Sequence, residues 1–252
     1  MGNDLINIYR NFLKDTIRKK IDFSQTDQSK GMDVPLIQKE YFPDQKIIDL
    51  PKKEEWESIK DISLCSAFQR RQSRRRYNKK PIELDELSFL LWSTQGVRQI
   101  IDPRRAFRMV PSAGCRHSFE TYLLIFNVTG LDEGIYRYLP VEHSLVFEGY
   151  QKSLSKKITE ASFGQSFIGK AAVVFIWTTI PYRMEWRYDI AAHRVIAIDA
   201  GHVCQNLYLA CEAIDSGTCA IAAFDQEKMD KLLNVDGNDE FVIYLAPVGK
   251  IS

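Results

Sequence analysis

Residues 202–214, HVCQNLYLACEAI, constrain the fold more than any other stretch of this chain. Apolar side chains recur almost all the way round the helical wheel, and Val203, Leu207, Cys211 and Ile214 share one stripe. A helix of that kind is stable only when covered on most sides, so it predicts a central helix with other elements packed around it. Gly217 stands where a left-handed residue would end it. Two continuous apolar runs, AVVFIWTT (172–179) and the latter half of ETYLLIFNV (120–128), read as buried strands.

Other elements fill in around these. PIELDELSFLLWSTQG (81–96) predicts a helix with Leu84, Leu87 and Leu91 on one face, Asp85 as a cap and Gly96 as its stop. DPRRAFR (102–108) reads as a charged loop. GIYRYLPVEHSLVFEG (134–149) predicts a hairpin with its loop at Pro140–His143. Helices are expected over about 154–162 and over QEKMDKLL (226–233), and a last strand over EFVIYLAPVG (240–249). Strands and helices interspersed with a hairpin predict an α+β fold, a mixed sheet flanked by helices. Residues 1–60 are polar and punctuated by Pro35, Pro43 and Pro51, with one helical stretch at about Leu5–Ile21. They read as an arm over the main body, with Tyr41, Phe42 and Trp56 as anchors, leaving 61–252 as the principal domain.

Charge and motifs exclude several function classes. The 34 basic and 33 acidic residues balance, which disfavours a chain devoted to coating nucleic acid or acidic membrane. The start MGNDLINIYR shows no secretory pattern, and Ile6 replaces the Ser or Thr of a myristoylation signal. No apolar run is long enough to span a bilayer, so a soluble cytoplasmic protein is expected. Five cysteines form no C-x-x-C pair and four histidines form no ligand spacing, so no metal site is expected. G-x-G-x-x-G, the P-loop signature and the G-x-S-x-G elbow are all missing. Chemistry, if present, falls to an organic cofactor, and no side chain is assigned a catalytic role.

Against that balance, RRQSRRRY (70–77) concentrates five arginines in eight positions. In an extended segment Arg71, Ser73 and Arg75 share one side, and Arg70, Arg74 and Arg76 the other. Two guanidinium forks with a hydroxyl between them suit a phosphate. A solvated basic loop explains an isolated cluster better than a phosphate site does, and a nucleic-acid site would want more aromatic partners than Tyr77.

The cluster is followed in order by PIELDELSFLLWSTQG, VPSAGCRHSFETY, GIYRYLP, DAGHVCQNLYLA, TCAIAAFD and PVGK. This ordered set resembles the nitroreductase-like FMN oxidoreductase superfamily from about residue 60 onward, in the branch of the azoline dehydrogenases of thiazole- and oxazole-modified peptides. The resemblance implies a homodimer with FMN at two interfacial sites, and hydride transfer through flavin N5 between a nicotinamide (NADH or NADPH) or organic donor and a small-molecule acceptor. It implies that Arg71, Gln72, Ser73 and Arg75 hold the FMN phosphate and ribityl chain. Pro111, Ser112, Ala113 and Gly114 would border the isoalloxazine from the other subunit, and Ala222 and Ala223 would face N5 and O4. Gln165 would lie near the pyrimidine edge, and Lys250 would stand in for basic residues that reach the phosphate from a longer C-terminal arm. YRMEWRYDIAAHRV (182–195) departs from the glycine- and aromatic-rich segment of the family, where substrate contacts fall. A non-catalytic flavin- or peptide-binding module on the same scaffold is the alternative.

Several residues admit plain roles. Asp199 and His202 read as caps or buttresses of the central helix, and Tyr136 and Tyr138 as hairpin packing. Tyr182, Arg183, Arg187 and Tyr188 fit a substrate mouth or a surface loop, and Asn206 points to an unspecified polar partner.

Overall fold

A computed structural model describes residues 2–251. The helices are α1 (Gly2–Phe12), α2 (Leu64–Arg70), α3 (Leu84–Gln95), α4 (Leu154–Ala161), α5 (Tyr182–Tyr188), α6 (Ala192–Glu212) and α7 (Gln226–Leu233). The strands are β1 (Ile47–Asp49), β2 (Val97–Asp102), β3 (Arg105–Arg108), β4 (Phe119–Ile125), β5 (Gly134–Leu139), β6 (Ser144–Gly149), β7 (Val173–Thr179), β8 (Ser216–Thr218) and β9 (Phe241–Lys250). Seven strands form one sheet in the order β1-β6-β5-β4-β7-β9-β8, and β2 and β3 pair separately. The named strands pair antiparallel, while Ser73 adds a parallel bridge to Thr218 at the β8 edge. None of the helices is long and apolar enough to cross a membrane, among the described residues.

Alternation along the central strands builds two cores. Phe119, Leu123, Ile125, Val173, Phe175 and Trp177 pack toward α3 and α6. Tyr122, Leu124, Val174 and Ile176 point the other way, onto Leu154, Ile158 and Ala161 of α4 and Met229, Leu232 and Leu233 of α7. A sheet covered on both faces favours apolar residues at successive positions, which is why Tyr122–Ile125 of β4 and Val173–Trp177 of β7 read as continuous apolar runs. Tyr136 and Tyr138 are buried in the α6-side core, as hairpin packing predicts.

The central helix starts ten residues before the apolar stretch that announced it. The 182–195 segment is no surface loop: it supplies α5 and the first turn of α6, broken only at Asp189, which sits at φ +50°. Gly217 does not cap the helix, which ends at Glu212; it lies inside β8, where a Cβ would stand 2.4 Å from Cγ of Arg74. Gly96 ends α3 at φ −55°, so no left-handed cap forms there, and glycine is needed because a Cβ would meet the Trp92 carbonyl at 2.6 Å. Asp85 is not the α3 cap either. Glu83 takes that place with Glu86, and Asp85 accepts instead from the backbone of Glu57 and Ser58 at 2.9 and 2.8 Å. The expected charged loop at 102–108 is part of the β2–β3 hairpin, turned by Asp102 accepting from Arg104 N–H at 2.9 Å.

Residues 22–60 lie along the body and add β1 to the sheet edge beside β6. Trp56 anchors them edge-on between Phe89 and Trp92, with centroids 5.3 and 5.4 Å away. Tyr41 and Phe42 stay exposed; backbone carbonyls are gripped by buried arginines instead. Arg137 donates to the carbonyls of Lys39 and Glu40 at 2.9 and 3.0 Å, and Arg108 to that of Ile37. The helix expected over 5–21 stops at Phe12 and resumes as a 3-10 turn over Asp15–Lys20, because Lys14 takes an extended conformation.

The polar hub beneath this arm is Glu120 on β4. Its carboxylate accepts from Arg183 at 2.6 Å and from Lys39 N–H at 2.7 Å, and lies 3.7 Å from Arg137. Burial alone would raise its pKa, but the Arg183 and Arg137 guanidiniums outweigh burial and hold it below the usual glutamate range. Its contribution is therefore present at neutral pH and lost as acid carries the solution through the lowered folded value. Glu120→Gln, which leaves buried guanidiniums short of charge, is expected to cost about 3–5 kcal/mol in urea unfolding at pH 7. The difference from wild type should shrink at acid pH.

Candidate functional site

Helix α2 is capped by Ser63, whose Oγ accepts from Ser66 N–H at 3.1 Å, and it ends at Arg70. Arg71 then turns the chain out at φ −53°, ψ 120°. The following residues run extended beside β8, joined by the Ser73–Thr218 bridge and by Arg74 N–H to the Thr218 carbonyl at 2.8 Å. Alternation then divides the arginines. Arg70 meets Glu212 at 3.3 Å and Asp215 at 4.0 Å, and Arg74 packs against Gly217. On the other side Arg71 lies over the Tyr208 ring (5.3 Å), Ser73 Oγ bonds Tyr208 Oη (2.9 Å), and Arg75 lies over Phe167 (5.9 Å). Neither Arg71 nor Arg75 has a carboxylate partner among the described residues, and Gln72 and Arg76 are exposed.

The backbone leaving β8 comes to the same place. Ala220 N–H donates to Tyr208 Oη at 2.8 Å, and Ile221 pairs with Leu245 of β9. Ala222 and Ala223 follow, exposed, and their N–H groups have no acceptor among the described residues. Gln165 donates to the Ala223 carbonyl at 3.1 Å. Arg71, Ser73, Arg75, Gln165, Ala222 and Ala223 thus line one shelf, with free amides and uncompensated cations along it. Tyr208 ties that shelf to α6. Sequence reasoning did not single it out, although its hydroxyl is a polar tip beside Leu207 and Leu209.

Lys250 is not brought to the shelf. Its ammonium is held by Glu86 and by the Ile214 carbonyl at 2.7 Å, which neutralises it between α3 and the end of α6. Asn206 finds its partner in the Ser93 carbonyl of α3 at 2.9 Å.

The Pro111–Gly114 turn is held against an earlier part of α6. Ala113 N–H donates to Asp199 at 3.2 Å, and Ser112 Oγ accepts from His117 N–H at 3.0 Å. Gly114 has φ +57°, and a Cβ there would stand 2.5 Å from Tyr188 Oη, so both backbone and space demand glycine. Asp199 is well inside α6 and caps nothing of that helix; it holds the 112–113 turn. Burial raises its pKa, opposed by hydrogen bonds from Ser112 and Ala113. Nine residues separate Asp199 from Tyr208, about 14 Å along the helix axis, so one chain presents the turn and the shelf as separate surfaces.

His117 follows the turn at φ +46°, 6 % exposed. Burial first, then the nearby Arg108, Arg116 and Arg183, push its pKa from 6.5 down to about 2. It is therefore a neutral imidazole in the folded chain. Below pH 6.5 the unfolded chain gains a proton that the folded chain refuses, so stability present above that pH is lost on acidification. His117→Asn should remove a slope approaching about 1.4 kcal/mol per pH unit below pH 6 in chemical denaturation. Tyr208→Phe, which orphans Ala220 N–H, should cost about 1–3 kcal/mol in the same assay.

The profile of the Nitroreductase family matches residues 68–250. MJ1384 of Methanocaldococcus jannaschii, which bears a nitroreductase name, is 32% identical over 192 residues, covering 76% of this chain and 93% of that protein. A crystallised protein of Anabaena variabilis, also named a nitroreductase, superposes with a TM-score of 0.66 at 24% identity over 83% of this chain. This chain spans 42% of its length. A chain of the Escherichia coli microcin synthetase McbBCD complex, solved with truncated pro-MccB17 bound, gives a TM-score of 0.59 at 17% identity, covering 92% of this chain and 83% of its own. With the profile spanning most of the sequence from the arginine segment to β9, this chain belongs to the nitroreductase family.

Proposed function

We propose that the chain is an FMN-dependent oxidoreductase whose phosphate site is the Arg71–Arg75 segment. The observation that carries this reading is the shelf itself: two guanidiniums without carboxylates, beside two backbone N–H groups without acceptors, among the described residues. A row of donors open to solvent, with cations at one end and backbone amides at the other, suits a ligand with phosphate at one end and hydrogen-bonding ring atoms at the other. Arg71, Ser73 and Arg75 would hold the FMN phosphate, with Gln72 beside them. Gln165 and the amides of Ala222 and Ala223 would meet the ring edge, where donors favour added negative charge. FMN would supply hydride chemistry at N5, with NADH or NADPH as donor. Tyr208 fixes the shelf from below, and no side chain is required as nucleophile.

The Pro111–Gly114 turn reaches this ring in the same reading only from a second copy. Ile198, Gly201, His202 and Gln205 form an exposed strip along α6 between the turn and the shelf, and Ile198 is 47 % exposed. A partner laid along that strip would carry its own turn toward the first chain's shelf, giving a homodimer with two sites. Lys250, already neutralised by Glu86, is left out of the phosphate site. The acceptor is a nitro compound, a quinone or an azoline-type peptide; the likeness to the microcin synthetase chain supports the last of these.

The full chain should purify yellow and release FMN on denaturation. Arg71→Ala combined with Arg75→Ala removes two charge-assisted bonds of about 1.5–3 kcal/mol each, so FMN affinity should fall about 100-fold or more in fluorescence titration. An unchanged titration would remove the phosphate assignment. Steady-state oxidation of NADH or NADPH by the FMN-loaded chain with a quinone acceptor tests turnover; its absence would leave a flavin-binding module.

A further inference from the structure

Around the Ser112–Gly114 turn the chain gathers more positive charge than it neutralises. Arg105 is matched by Asp102 at 2.6 Å, and Arg183 by Glu120 at 2.6 Å. Arg108 has only neutral acceptors, Gln95 Oε1 at 2.7 Å and the Ile37 carbonyl. Arg116 and Arg187 have no hydrogen-bond acceptor at all among the described residues. Arg116 is 6 % exposed, its Nε is buried without a partner, and its guanidinium rests on the Trp186 ring at 5.3 Å. Arg187 is half-buried and rests on the Tyr188 ring at 5.5 Å. Its Nε would lie 3.1 Å from a Cβ at Gly114, so it stands directly against the turn.

The carboxylates nearby are already engaged. Glu185 bonds His193 at 2.7 Å, Asp199 holds the Ala113 amide, and Asp189 accepts from Ile190 N–H. Aromatic stacking fixes the planes of the two guanidiniums but supplies none of the acceptors that their N–H groups need. A buried guanidinium without an anion is poorly compensated, and a fold keeps one most readily where a ligand brings the missing charge. Arg116 rests on Trp186 and Arg187 on Tyr188, two positions apart on α5, and each guanidinium lies near enough to feel the other's charge, so the pair is held ready for a forked oxyanion.

We propose that Arg116 and Arg187 form an oxyanion-binding subsite beside the Ser112–Gly114 turn, so that the molecule admitted there carries a carboxylate or phosphate group. The proposal rests on the reading that this turn borders the reaction site, and it names the substrate class of that site. An acceptor with a carboxylate, or a donor with a phosphate, would be held by its charged end at α5, with its reacting end left toward the turn.

Calorimetric titration of the FMN-loaded full chain tests this, with benzoate and inorganic phosphate as separate probes. Saturation with FMN keeps phosphate out of the Arg71–Arg75 segment. One of the two probes should bind saturably, and Arg116→Gln or Arg187→Gln should weaken it about tenfold or more, as loss of a charge-assisted bond does. Exposed Arg76→Gln should leave it unchanged. Benzoate alone marks a carboxylate site, and phosphate alone a phosphate site. Where benzoate is the probe that binds, Arg187→Gln should in steady state raise KM for 4-nitrobenzoate about tenfold, while kcat and the KM for nitrobenzene stay within about twofold. Arg187 is half-buried, so that variant keeps the test open if Arg116→Gln fails to fold. Wild-type chain that binds neither probe, or binds them equally well after Arg187→Gln, overturns the proposal. Flavin uptake is scored separately: a chain that takes up no FMN defeats the flavin reading, while dependence of oxyanion binding on Arg187 still stands.

Discussion

Two polar side chains on one helix, packed on the core along one side, carry both halves of the candidate site. Asp199 receives the Ala113 amide, and Tyr208 receives the Ala220 amide and bonds Ser73. Because α6 is clamped between the sheet and α3, these groups are fixed in position, and the loops they hold inherit that rigidity. Short loops without such attachments would not keep backbone N–H groups aimed at a ligand. The site is therefore an extension of core packing, and the helix that fills the core also sets the spacing between the turn and the shelf.

A second theme is how this chain treats arginine. Where the fold needs a cation inside, it supplies acceptors: Arg137 has Glu148 at 2.6 Å and two arm carbonyls, and Arg183 has Glu120. Elsewhere guanidiniums lie on aromatic faces with no carboxylate partner among the described residues, as at Arg71, Arg75, Arg116 and Arg187. The two groups differ in energetics. The first contributes to folding, and losing a partner there destabilises the chain. The second has no partner of that kind to lose, and its unmatched charge is what the proposed ligand sites would use. Lys250, a basic residue expected at the phosphate yet neutralised by Glu86, shows that charge alone does not assign a residue to the second group.

Much of the fold was legible because periodicity is a local property. The double-sided burial of β4 and β7, the β5–β6 hairpin, α7 and the alternation of the arginine segment all follow from side-chain order along the chain. Capping and glycine roles were less legible. Asp85, Gly96 and Gly217 sit at spacings that suit caps, yet their roles come from neighbours distant in sequence or from the crowding of one turn: the 57–58 backbone, the Trp92 carbonyl and the Arg74 side chain. The start of α6 was hidden because 182–195 is mixed in character and gains its helical form by packing against the core and the arm, with Trp186 donating to the Met32 carbonyl at 3.1 Å.

The sequence by itself determined the layered α+β architecture, the central helix, the ordered motifs of the nitroreductase family and the division of the arginine segment into two faces. Those depend on residue order and the two repeat periods of secondary structure. Only the tertiary structure decided which cations are free, that Tyr208 and Asp199 hold the shelf and the turn, and that Lys250 is already taken. Whether a charge is matched depends on what residues far along the chain bring to it, and the linear pattern carries no record of those distances.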